Sequence, residues 1–436
     1  MSKRFGFISF SSEGHLNPTM ALAKELEQRG HVAVVYSLPD GVPKIERHGL
    51  RAQIYGETEF TIQEIEAGYR ELGRLKGLSA VRHTLDGMKR RARVGLRELP
   101  VLVERDGIDG LIVDQVVPDG AAIARAMHVP YVTVCNALPF NLSSDVPPVF
   151  SHGQAGNSVW KQLRNRSLNA LATRMAGALI GIINDFQRQR GLPLYKRPEQ
   201  FGSELAEITQ IPRQFDFSNR KLPEVFHYTG PFHDLRHRAA VDFPWDRIHG
   251  DQPLIYASMG TLQNQIRSVF HTIAAACADM PVQLVISLGG QSEPTELGVL
   301  PGDPIVVRYA PQLELLARST ACITHAGLNT TLECLACGIP MLTIPVTNDQ
   351  PGVAARVTAC QAGLSVKLGR LEKDSLRVKL QRLLDQPQYS HKAAAMAKHI
   401  AEARGLATAA TIIEEAFASK VPIRAPFHPR SNSGVS

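Results

Sequence analysis

The feature of this chain that most constrains its fold is an alternation of short apolar strands with amphipathic helices. An apolar segment at residues 5–10 is followed by a helical pattern from Pro18 to Arg29, then by Gly30 and a second apolar segment at 31–36. Proline in the first turn and glycine just beyond the last turn are placed where helix ends favour them. Strands that alternate with helices in this way predict a parallel, doubly wound sheet.

The same alternation begins again in the second half of the chain. After the first unit, strands are predicted at 110–113, 131–135, 254–258, 282–287, 305–308, 321–324 and 341–344, with a further helix at 266–278. A second α/β domain of the same kind as the first is therefore expected.

We predict two doubly wound, Rossmann-like α/β domains, an N-terminal one at 1–222 and a C-terminal one at 246–419. The segment between them, 223–245, is rich in Pro, His and Phe and lacks helical periodicity, which is typical of a linker. The last residues, 420–436, contain three prolines and are expected to form a flexible tail.

Length and composition fit a globular protein without a membrane-spanning segment. A chain of 436 residues is too long for one ordinary hydrophobic core, and no apolar run reaches the ~18 residues that a bilayer requires. The N-terminus lacks a small-residue cleavage site, and the six cysteines are scattered, so we expect a cytoplasmic protein. Cys334 and Cys337 form a Cys-x-x-Cys pair that we interpret as structural, because no second Cys or His pair lies nearby to complete a zinc site.

Much of the basic charge lies between residues 70 and 97, a segment that includes Lys89, Arg90, Arg91 and Arg93. The segment lacks the interleaved aromatic residues of a base-stacking surface, so no nucleic-acid partner is expected. Two interpretations stay open. We favour a solvated helix face, and the alternative is a peripheral contact with an anionic membrane, worth about 1 kcal/mol per basic side chain.

Two polar side chains of the first domain are candidates for acid–base chemistry. His15 lies in the segment after the first strand, and Asp114 ends the strand at 110–113. In doubly wound sheets, ligands bind beyond the carboxyl ends of the strands. A carboxylate that accepts the proton of one imidazole nitrogen fixes the tautomer and supports the other nitrogen as a general base. We therefore predict that Asp114 orients His15, and the alternative for Asp114 is a helix cap or turn residue.

The densest cluster of polar and aromatic residues lies in the second domain, in Tyr309-Ala-Pro-Gln312, Thr324-His-Ala-Gly-Leu-Asn-Thr-Thr-Leu-Glu333 and Asp349-Gln350. A ring at Tyr309 suits stacking on uracil, with the backbone of Ala310 at the polar edge of the base. Gln312 and Glu333 offer groups for ribose hydroxyls.

A diphosphate fits the strand-to-helix junction inside this cluster. The N-terminal amides of a helix bind phosphate groups, and a glycine there permits close approach. The junction contains His325, Gly327, Asn329 and Thr330. Ser258, followed by Gly260 in the loop after the first strand of this domain, offers a further phosphate contact.

The cluster closely resembles the UDP-binding signature of the family 1 glycosyltransferases, whose plant members carry Trp-x-Pro-Gln, His-Cys-Gly-Trp-Asn-Ser, a Glu and a terminal Asp-Gln. The resemblance extends to Gly14-His15, to Ser258 and Gly260, and at 349–357 it is similar to the bacterial zeaxanthin glucosyltransferase branch. It implies the GT-B fold, in which two Rossmann-like domains face each other across a cleft. It also implies that Asp349 and Gln350 bind the hydroxyls of the donor sugar.

Three positions depart from the plant pattern. Tyr309 replaces Trp, Ala326 replaces Cys and Leu328 replaces Trp. The first keeps an aromatic ring, and the other two change packing rather than polar groups, so they affect the expected sugar preference more than UDP binding.

The resemblance implies an inverting glycosyltransferase that moves a sugar, with glucose favoured, from a UDP-sugar to a hydroxyl of an apolar acceptor, with His15 as base. No cofactor or metal is expected, since no Asp-x-Asp occurs near the phosphate residues. A carotenoid diol such as zeaxanthin is the favoured acceptor, and a flavonoid or other phenolic, or a macrolide, comes next. Residues 138–160 could line the acceptor cleft or form a surface loop. Two other functions stay open, a UDP-sugar epimerase and an inactive homologue that acts as a binding or activator protein.

Overall fold

The computed structural model describes residues 2–140, 143–153, 155–156, 158–218, 220–233, 241–262, 266–290 and 292–426. Within them, the first series of strands is β1 (Arg4–Ile8), β2 (Val32–Ser37), β3 (Arg51–Ile54), β4 (Gly110–Asp114), β5 (Tyr131–Cys135), β6 (Glu207–Thr209) and β7 (Phe226–Tyr228). The accompanying helices are α1 (Glu13–Gln28), α2 (Val42–Arg47), α3 (Ile62–Arg74), α4 (Gly77–Arg105), α5 (Pro118–Ala126) and α6 (Val159–Arg188).

The second series follows the same plan. Its strands are β8 (Leu254–Ser258), β9 (Gln283–Ser287), β10 (Ile305–Val307), β11 (Ala321–Thr324), β12 (Met341–Thr343) and β13 (Gly363–Ser365). Its helices are α7 (Arg267–Cys277), α8 (Gln312–Leu316), α9 (Leu328–Ala336), α10 (Gln350–Ala359), α11 (Lys373–Asp385) and α12 (Pro387–Ala403), and the chain continues into α13 (Gly405–Ser419). Short 3-10 helices lie at Pro198–Phe201, Arg213–Phe215, Trp245–Arg247, Pro294–Leu297 and Leu368–Arg370.

The two series form two separate parallel sheets. The first has the strand order β3-β2-β1-β4-β5-β6-β7, and the second has the order β10-β9-β8-β11-β12-β13. Helices cover both faces of each sheet, so central strands such as β4 are buried along their whole length, which explains their continuous apolar sequences. The prediction of two doubly wound, Rossmann-like α/β domains is confirmed.

The strand order determines where a ligand site can form. In each sheet the chain moves outward on one side and then returns to the other side, so that β1 lies beside β4 and β8 beside β11. Ligands of doubly wound sheets bind in the crevice at such a reversal. The segments that follow β1, β4, β8 and β11 are therefore the ones that meet at the two crevices.

Helix α1 begins five residues earlier than the sequence pattern predicts. We expected the helix to start at Pro18, with His15 in a loop, but α1 starts at Glu13 and Pro18 lies inside it. The acidic Glu13 in the first turn is favourable to the helix dipole. His15 is consequently part of the first helical turn, which gives its backbone a fixed direction.

The boundary between the domains differs from the expected linker. Within 223–245, Phe226–Tyr228 forms β7 and pairs with β6, so this part belongs to the N-terminal sheet. Three residues are too few to show a strand period in the sequence. Residues 234–240 lie outside the described residues.

The last helix also crosses the expected domain boundary. Although we assigned residues up to 419 to the C-terminal domain, α13 packs against α1, and Phe417 contacts Phe5 with ring centroids 5.1 Å apart. Beyond it, the backbone N–H of Ile423 donates to the carbonyl of Leu205 at 2.8 Å. The start of the expected tail is thus bound to the N-terminal domain, and residues 427–436 lie outside the described residues.

The basic segment at 70–97 is not one solvated face. Arg91 is buried, and its guanidinium contacts the Asp119 carboxylate and the Tyr55 hydroxyl. Arg90 lies over the ring of Phe60 with its guanidinium carbon 4.5 Å from the centroid. Among the described helices, none is long and apolar enough to span a bilayer, and the alternative of a peripheral membrane contact stays a hypothesis.

Candidate functional site

The predicted acid–base pair forms at the crevice of the N-terminal sheet. Nδ1 of His15, in the first turn of α1, lies 2.7 Å from Oδ2 of Asp114 at the end of β4. The His15 side chain keeps 21% exposure, whereas that of Asp114 has 1%. Burial lowers the pKa of His15, but the charge and hydrogen bond of Asp114, with a contribution from Asp349, raise it above 6.5. The geometry leaves Nε2 as the nitrogen that can take a proton from a substrate.

A shell of buried hydroxyl and amide groups holds Asp114. Oδ2 accepts hydrogen bonds from Ser9 Oγ at 3.1 Å and from Asn136 Nδ2 at 2.9 Å. The same Asn136 amide donates to Thr19 Oγ1 at 3.0 Å, and Thr19 donates to Ser9. Asp114 is therefore buried and held from several directions, and it is also a turn residue, since its Oδ1 accepts from the backbone N–H of Val116 at 3.2 Å. The sequence pattern did not identify these supporting residues, because small polar residues at strand ends are common.

Pro18 has a structural consequence that connects the two domains. Proline has no N–H and cannot donate to the carbonyl four residues earlier, which in α1 is that of Gly14. The freed carbonyl accepts a hydrogen bond from Nδ2 of Asn329 in the first turn of α9, at 2.9 Å. The other side of the Asn329 amide, Oδ1, accepts from Nε2 of Gln210 at 3.0 Å. The side chain of Asn329, which we expected beside the diphosphate, is thus bound by the N-terminal domain.

The residues expected at the base and ribose of UDP lie together at the mouth of the C-terminal crevice. Tyr309 is 46% exposed, so one face of its ring is accessible, whereas Ala310 is buried. The Gln312 carbonyl oxygen accepts from the Tyr256 hydroxyl at 3.0 Å, and its amide contacts the Glu333 carboxylate. Gln312 and the buried Glu333 form one fixed polar unit.

The two segments expected to bind the diphosphate, 258–260 and 325–330 (together the phosphate loop), have a packing requirement that the sequence pattern did not reveal. His325 is buried between two glycines, since a Cβ atom built on Gly260 or on Gly327 would lie 2.5 or 2.4 Å from its ring. Gly260 also has a φ of 74°, which favours glycine. We expected Gly327 to permit the approach of a phosphate, and the structure shows that both glycines make room for the imidazole.

The electrostatics of the phosphate loop depend on an uncharged histidine. Burial lowers the pKa of His325 to about 4, against a weaker opposing effect of a hydrogen bond with the backbone of Ser258. The imidazole is therefore neutral at pH 7 and adds no positive charge, and its one N–H is used by the hydrogen bond with the Ser258 backbone. Ser258 is buried beside it, and its Oγ accepts from the N–H of Gly260 at 3.3 Å. Thr330 follows in the first turn of α9, whose N-cap is Gly327.

The Asp349-Gln350 pair marks the start of α10 and faces the N-terminal domain. Oδ2 of Asp349 accepts from the backbone N–H of Leu138 at 3.0 Å. Burial raises the pKa of Asp349, and that hydrogen bond and the charge of His15 oppose the rise. The Gln350 side-chain oxygen accepts from the backbone N–H groups of Val346 and Thr347 at 2.8 and 3.1 Å. Gln350 thus fixes the loop at 346–347. Asp349 is the residue of the pair whose charge acts on His15.

Helix α10 is held against the N-terminal domain by two further contacts. The N–H of Gly352 donates to the carbonyl of Val149 at 2.8 Å, and a Cβ on Gly352 would lie 2.3 Å from that oxygen. Arg356 forms a buried ion pair with Asp216, with Nη2 2.7 Å from Oδ1. Asp349, Gly352 and Arg356 occupy positions i, i+3 and i+7 and so share one helix face. Sequence analysis missed this pair, although a charged residue in an apolar helix is a signal that could have indicated it.

All of the predicted catalytic and donor-binding residues line one cavity of about 1560 Å³ between the domains. Apolar side chains from the N-terminal domain line much of the rest, among them Leu85 and Met88 of α4 and Met175 of α6. Part of the expected acceptor segment 138–160 also lines it, including Phe140 and Phe150, while residues 141, 142, 154 and 157 lie outside the described residues. In the described part of the chain, no three His, Cys, Asp or Glu side chains are placed to hold a metal ion.

Comparison with known proteins identifies the family. The family model described as "UDP-glucoronosyl and UDP-glucosyl transferase" matches residues 74–401. A zeaxanthin glucosyltransferase of Pseudescherichia vulneris is 30% identical over 423 residues, which cover 95% of this chain and 98% of the relative. A zeaxanthin glucosyltransferase of Pantoea ananas is 28% identical over 431 residues, covering 96% and 97%. The crystal structure of the calicheamicin glycosyltransferase CalG4 superimposes with a TM-score of 0.71 at 22% identity, covering 97% and 100%.

The chain has two Rossmann-like domains that enclose one cleft, and the glycosyltransferase CalG4 superimposes on nearly all of it. These features define the GT-B architecture. Within that class, the chain belongs to the family 1 glycosyltransferases, the family to which the matching model and the similar relatives point.

Proposed function

We propose that this protein transfers glucose from UDP-glucose to a hydroxyl group of an apolar acceptor. The observation that carries the proposal is that the His15–Asp114 pair opens onto the same cavity as the Gln312–Glu333 pair and the apolar side chains of the N-terminal domain. A base, a ribose-binding pair and an apolar surface in one enclosed space are what transfer to an apolar alcohol requires. The two zeaxanthin glucosyltransferases among the similar proteins favour a carotenoid diol, with a phenolic or a macrolide next.

The proposed reaction is a single displacement. Nε2 of His15 removes the proton of the acceptor hydroxyl while its oxygen attacks the anomeric carbon, and the bond from that carbon to the diphosphate oxygen breaks. UDP leaves with the electron pair, so the configuration at the anomeric carbon inverts and an α-linked donor gives a β-glucoside. Asp114 keeps the imidazole in the required tautomer, and Asp349 is the carboxylate proposed to bind sugar hydroxyls.

The negative charge that develops on the leaving diphosphate is proposed to be stabilised without a metal ion. The N-terminal amides of α9 and the hydroxyl of Ser258 are the donors available to it. The rate should be the same in EDTA as in its absence. Activity that is lost in EDTA and restored by Mg²⁺ would contradict this part of the proposal.

The test is incubation of the full-length protein with UDP-glucose and an acceptor panel of zeaxanthin, a hydroxyflavone and a macrolide, analysed by mass spectrometry. The anomeric configuration of any product is then assigned by NMR. His15→Ala should slow product formation by about 10²- to 10⁴-fold, and His399→Ala, at an exposed histidine on α12, is the matched control. An epimerised UDP-sugar formed without acceptor would instead support an epimerase, and UDP binding with no reaction would support an inactive homologue.

A further inference from the structure

The N-terminal half of α6 presents apolar side chains to solvent and buries polar ones. Within 159–178 the buried side chains are Asn165 and Asn169, whose amides donate to the backbone carbonyls of residues 144 and 143 at 3.0 and 3.4 Å. The exposed side chains there include four large apolar ones, Val159, Trp160, Leu163 and Leu171. The helix buries large apolar side chains only from Leu179 onward. Packing within the described part of the protein therefore does not account for the four exposed ones.

The four apolar side chains lie on one side of the helix. At about 100° per residue, their positions fall within an arc of roughly 120° on the side opposite the two asparagines. We refer to this surface, formed by Val159, Trp160, Leu163 and Leu171, as the exposed face of α6. Contiguous apolar surface on a folded protein marks a site that contacts another protein, a ligand or a membrane.

The charge carried by this stretch of the chain is entirely positive. Residues 146–184 contain no Asp or Glu, and their basic residues are Lys161, Arg164, Arg166 and Arg174. The helical positions of Arg164 and Arg166 put them on the two borders of the exposed face of α6, and both side chains are exposed. Trp and Leu bordered by basic residues are typical of a helix that lies in the interface of an anionic bilayer. A second copy of the chain would bring like charges together, whereas anionic headgroups would neutralise them.

The exposed face of α6 leads into the cavity between the domains. Leu171 is 47% exposed and also lines the cavity, and Met175 and Ala176 continue the lining one turn further along the helix. Leu78 of α4, the helix that packs against α6, combines the same two properties, since it is exposed and lines the cavity. Exposed apolar side chains from both helices therefore border the mouth of the cavity.

We propose that the exposed face of α6 docks on the surface of an anionic lipid bilayer, with its apolar side chains among the upper parts of the acyl chains and Arg164 and Arg166 at the headgroups. The mouth of the cavity at Leu171 then opens toward the lipid, so an apolar molecule that resides in the bilayer reaches the cavity without crossing water. The contact is interfacial, and it involves a different surface from the basic segment at 70–97. Docking of this kind goes beyond the proposed function, and its test requires neither a sugar donor nor an acceptor.

The experiment measures binding of the full-length protein to vesicles of phosphatidylcholine alone and of phosphatidylcholine mixed with phosphatidylglycerol. Co-sedimentation should show binding to the mixed vesicles that weakens at high ionic strength, because salt screens the attraction between basic side chains and anionic headgroups. The emission of Trp160, which is 79% exposed, should shift to shorter wavelength, and acyl chains brominated near the headgroup should quench it. The second tryptophan, Trp245, lies against Arg318, with the guanidinium carbon 4.3 Å from a ring centroid, and Trp160→Phe shows how much Trp245 contributes to the signal.

Two double variants separate the apolar from the electrostatic part of the contact. Trp160→Ser with Leu163→Ser should weaken binding to the mixed vesicles by at least about 10-fold, because neither side chain would then bury apolar surface in lipid. Arg164→Gln with Arg166→Gln should weaken it about 10- to 30-fold, at about 5-fold per basic side chain, and should leave binding to phosphatidylcholine alone unchanged. Val378→Ser, at an exposed valine on α11, is the matched control and should bind as the wild type does. Because all of these side chains are exposed, the melting temperatures should match that of the wild type.

Three results would refute the docking proposal. The first is a wild-type protein that stays in the supernatant with the mixed vesicles. The second is equal binding of the wild type and the double variant Trp160→Ser with Leu163→Ser. The third is self-association of the wild type in the absence of vesicles that is lost in the same double variant, because a second copy of the chain would then cover the exposed face of α6.

Discussion

Replacing Asp216 by asparagine tests whether the buried ion pair holds the two domains together. The Asp216 carboxylate accepts hydrogen bonds from Arg356 Nε at 2.9 Å, Arg220 Nη1 at 3.0 Å, the Tyr228 hydroxyl at 2.7 Å and the N–H of Phe217 at 2.9 Å. Its side chain is 0% exposed, and the side chains of Arg220 and Arg356 are each 1% exposed. Asp216→Asn keeps the size of the side chain but leaves two buried guanidinium groups without a counter-charge.

The expected loss in the free energy of unfolding is about 3 to 5 kcal/mol, the scale for removing one partner of a buried pair. For domains of this size that corresponds to a fall in melting temperature of about 10 °C. Burial raises the pKa of Asp216, but the charges of Arg220 and Arg356 outweigh it and hold the pKa well below its usual range. The stabilisation is therefore fully present above the unfolded value near 3.9 and is lost only as the pH falls towards the folded-state pKa.

Differential scanning fluorimetry at pH 5, 6, 7 and 8 provides the measurement. The difference between Asp216→Asn and wild type should stay constant over this range, because Asp216 is charged throughout in both the folded and the unfolded wild-type protein. Glu224→Gln is the control, since Glu224 forms an exposed pair with Arg424, and it should leave the melting temperature unchanged. If Asp216→Asn melts within 2 °C of wild type, the buried pair is not stabilising and the reasoning is wrong.

Four other perturbations test the site itself. His15→Ala should lower kcat by about 10²- to 10⁴-fold while UDP affinity, measured by calorimetry, stays near wild type, and near-normal turnover would remove His15 from the mechanism. Because the pKa of His15 is raised by Asp114, activity should rise with pH through a midpoint above 6.5, and Asp114→Asn should shift that midpoint to lower pH; an unshifted profile would show that the pair does not control the base. Tyr309→Ala should weaken UDP binding by about 1 to 3 kcal/mol, and an unchanged dissociation constant in a folded variant would mean that the ring does not stack on uracil. Gly327→Ala should displace His325 and reduce UDP affinity, whereas Gly369→Ala, with open space around it, should not; equal affinities in both would argue against the packing requirement.

The acid–base pair could be predicted from the sequence because both residues follow strands that meet at a topological reversal. His15 comes after β1 and Asp114 ends β4, and the order of the sheet brings these two strands side by side. The same logic explains why Ser258, at the end of β8, and His325, just after β11, converge in the other domain. Local apolar patterns reveal the strands, and the rule for doubly wound sheets then relates their ends.

The contacts between the domains could not be predicted in this way. Asp216 and Arg356 are separated by 140 positions, and Gln210 and Asn329 by 119, with no periodic pattern that relates them. Similarly, a proline preceded by polar residues is ordinarily read as the first turn of a helix, so the true start of α1 at Glu13 was missed. The interdomain pairs depend on tertiary contacts that leave no local signal, whereas at α1 the proline pattern gave a misleading one.

Asn329 shows how a single motif residue combines two tasks. Its position in the first turn of α9 places its backbone where a diphosphate is expected, yet both polar ends of its side chain are bound by the N-terminal domain. One of these contacts exists because Pro18 leaves the carbonyl of Gly14, the residue before His15, without a helical partner. The donor-binding motif is therefore joined directly to the backbone that carries the proposed base. Correct placement of that base depends on the two domains being together, so we expect the asparagine of the motif to serve the interface as well as the proposed nucleotide site.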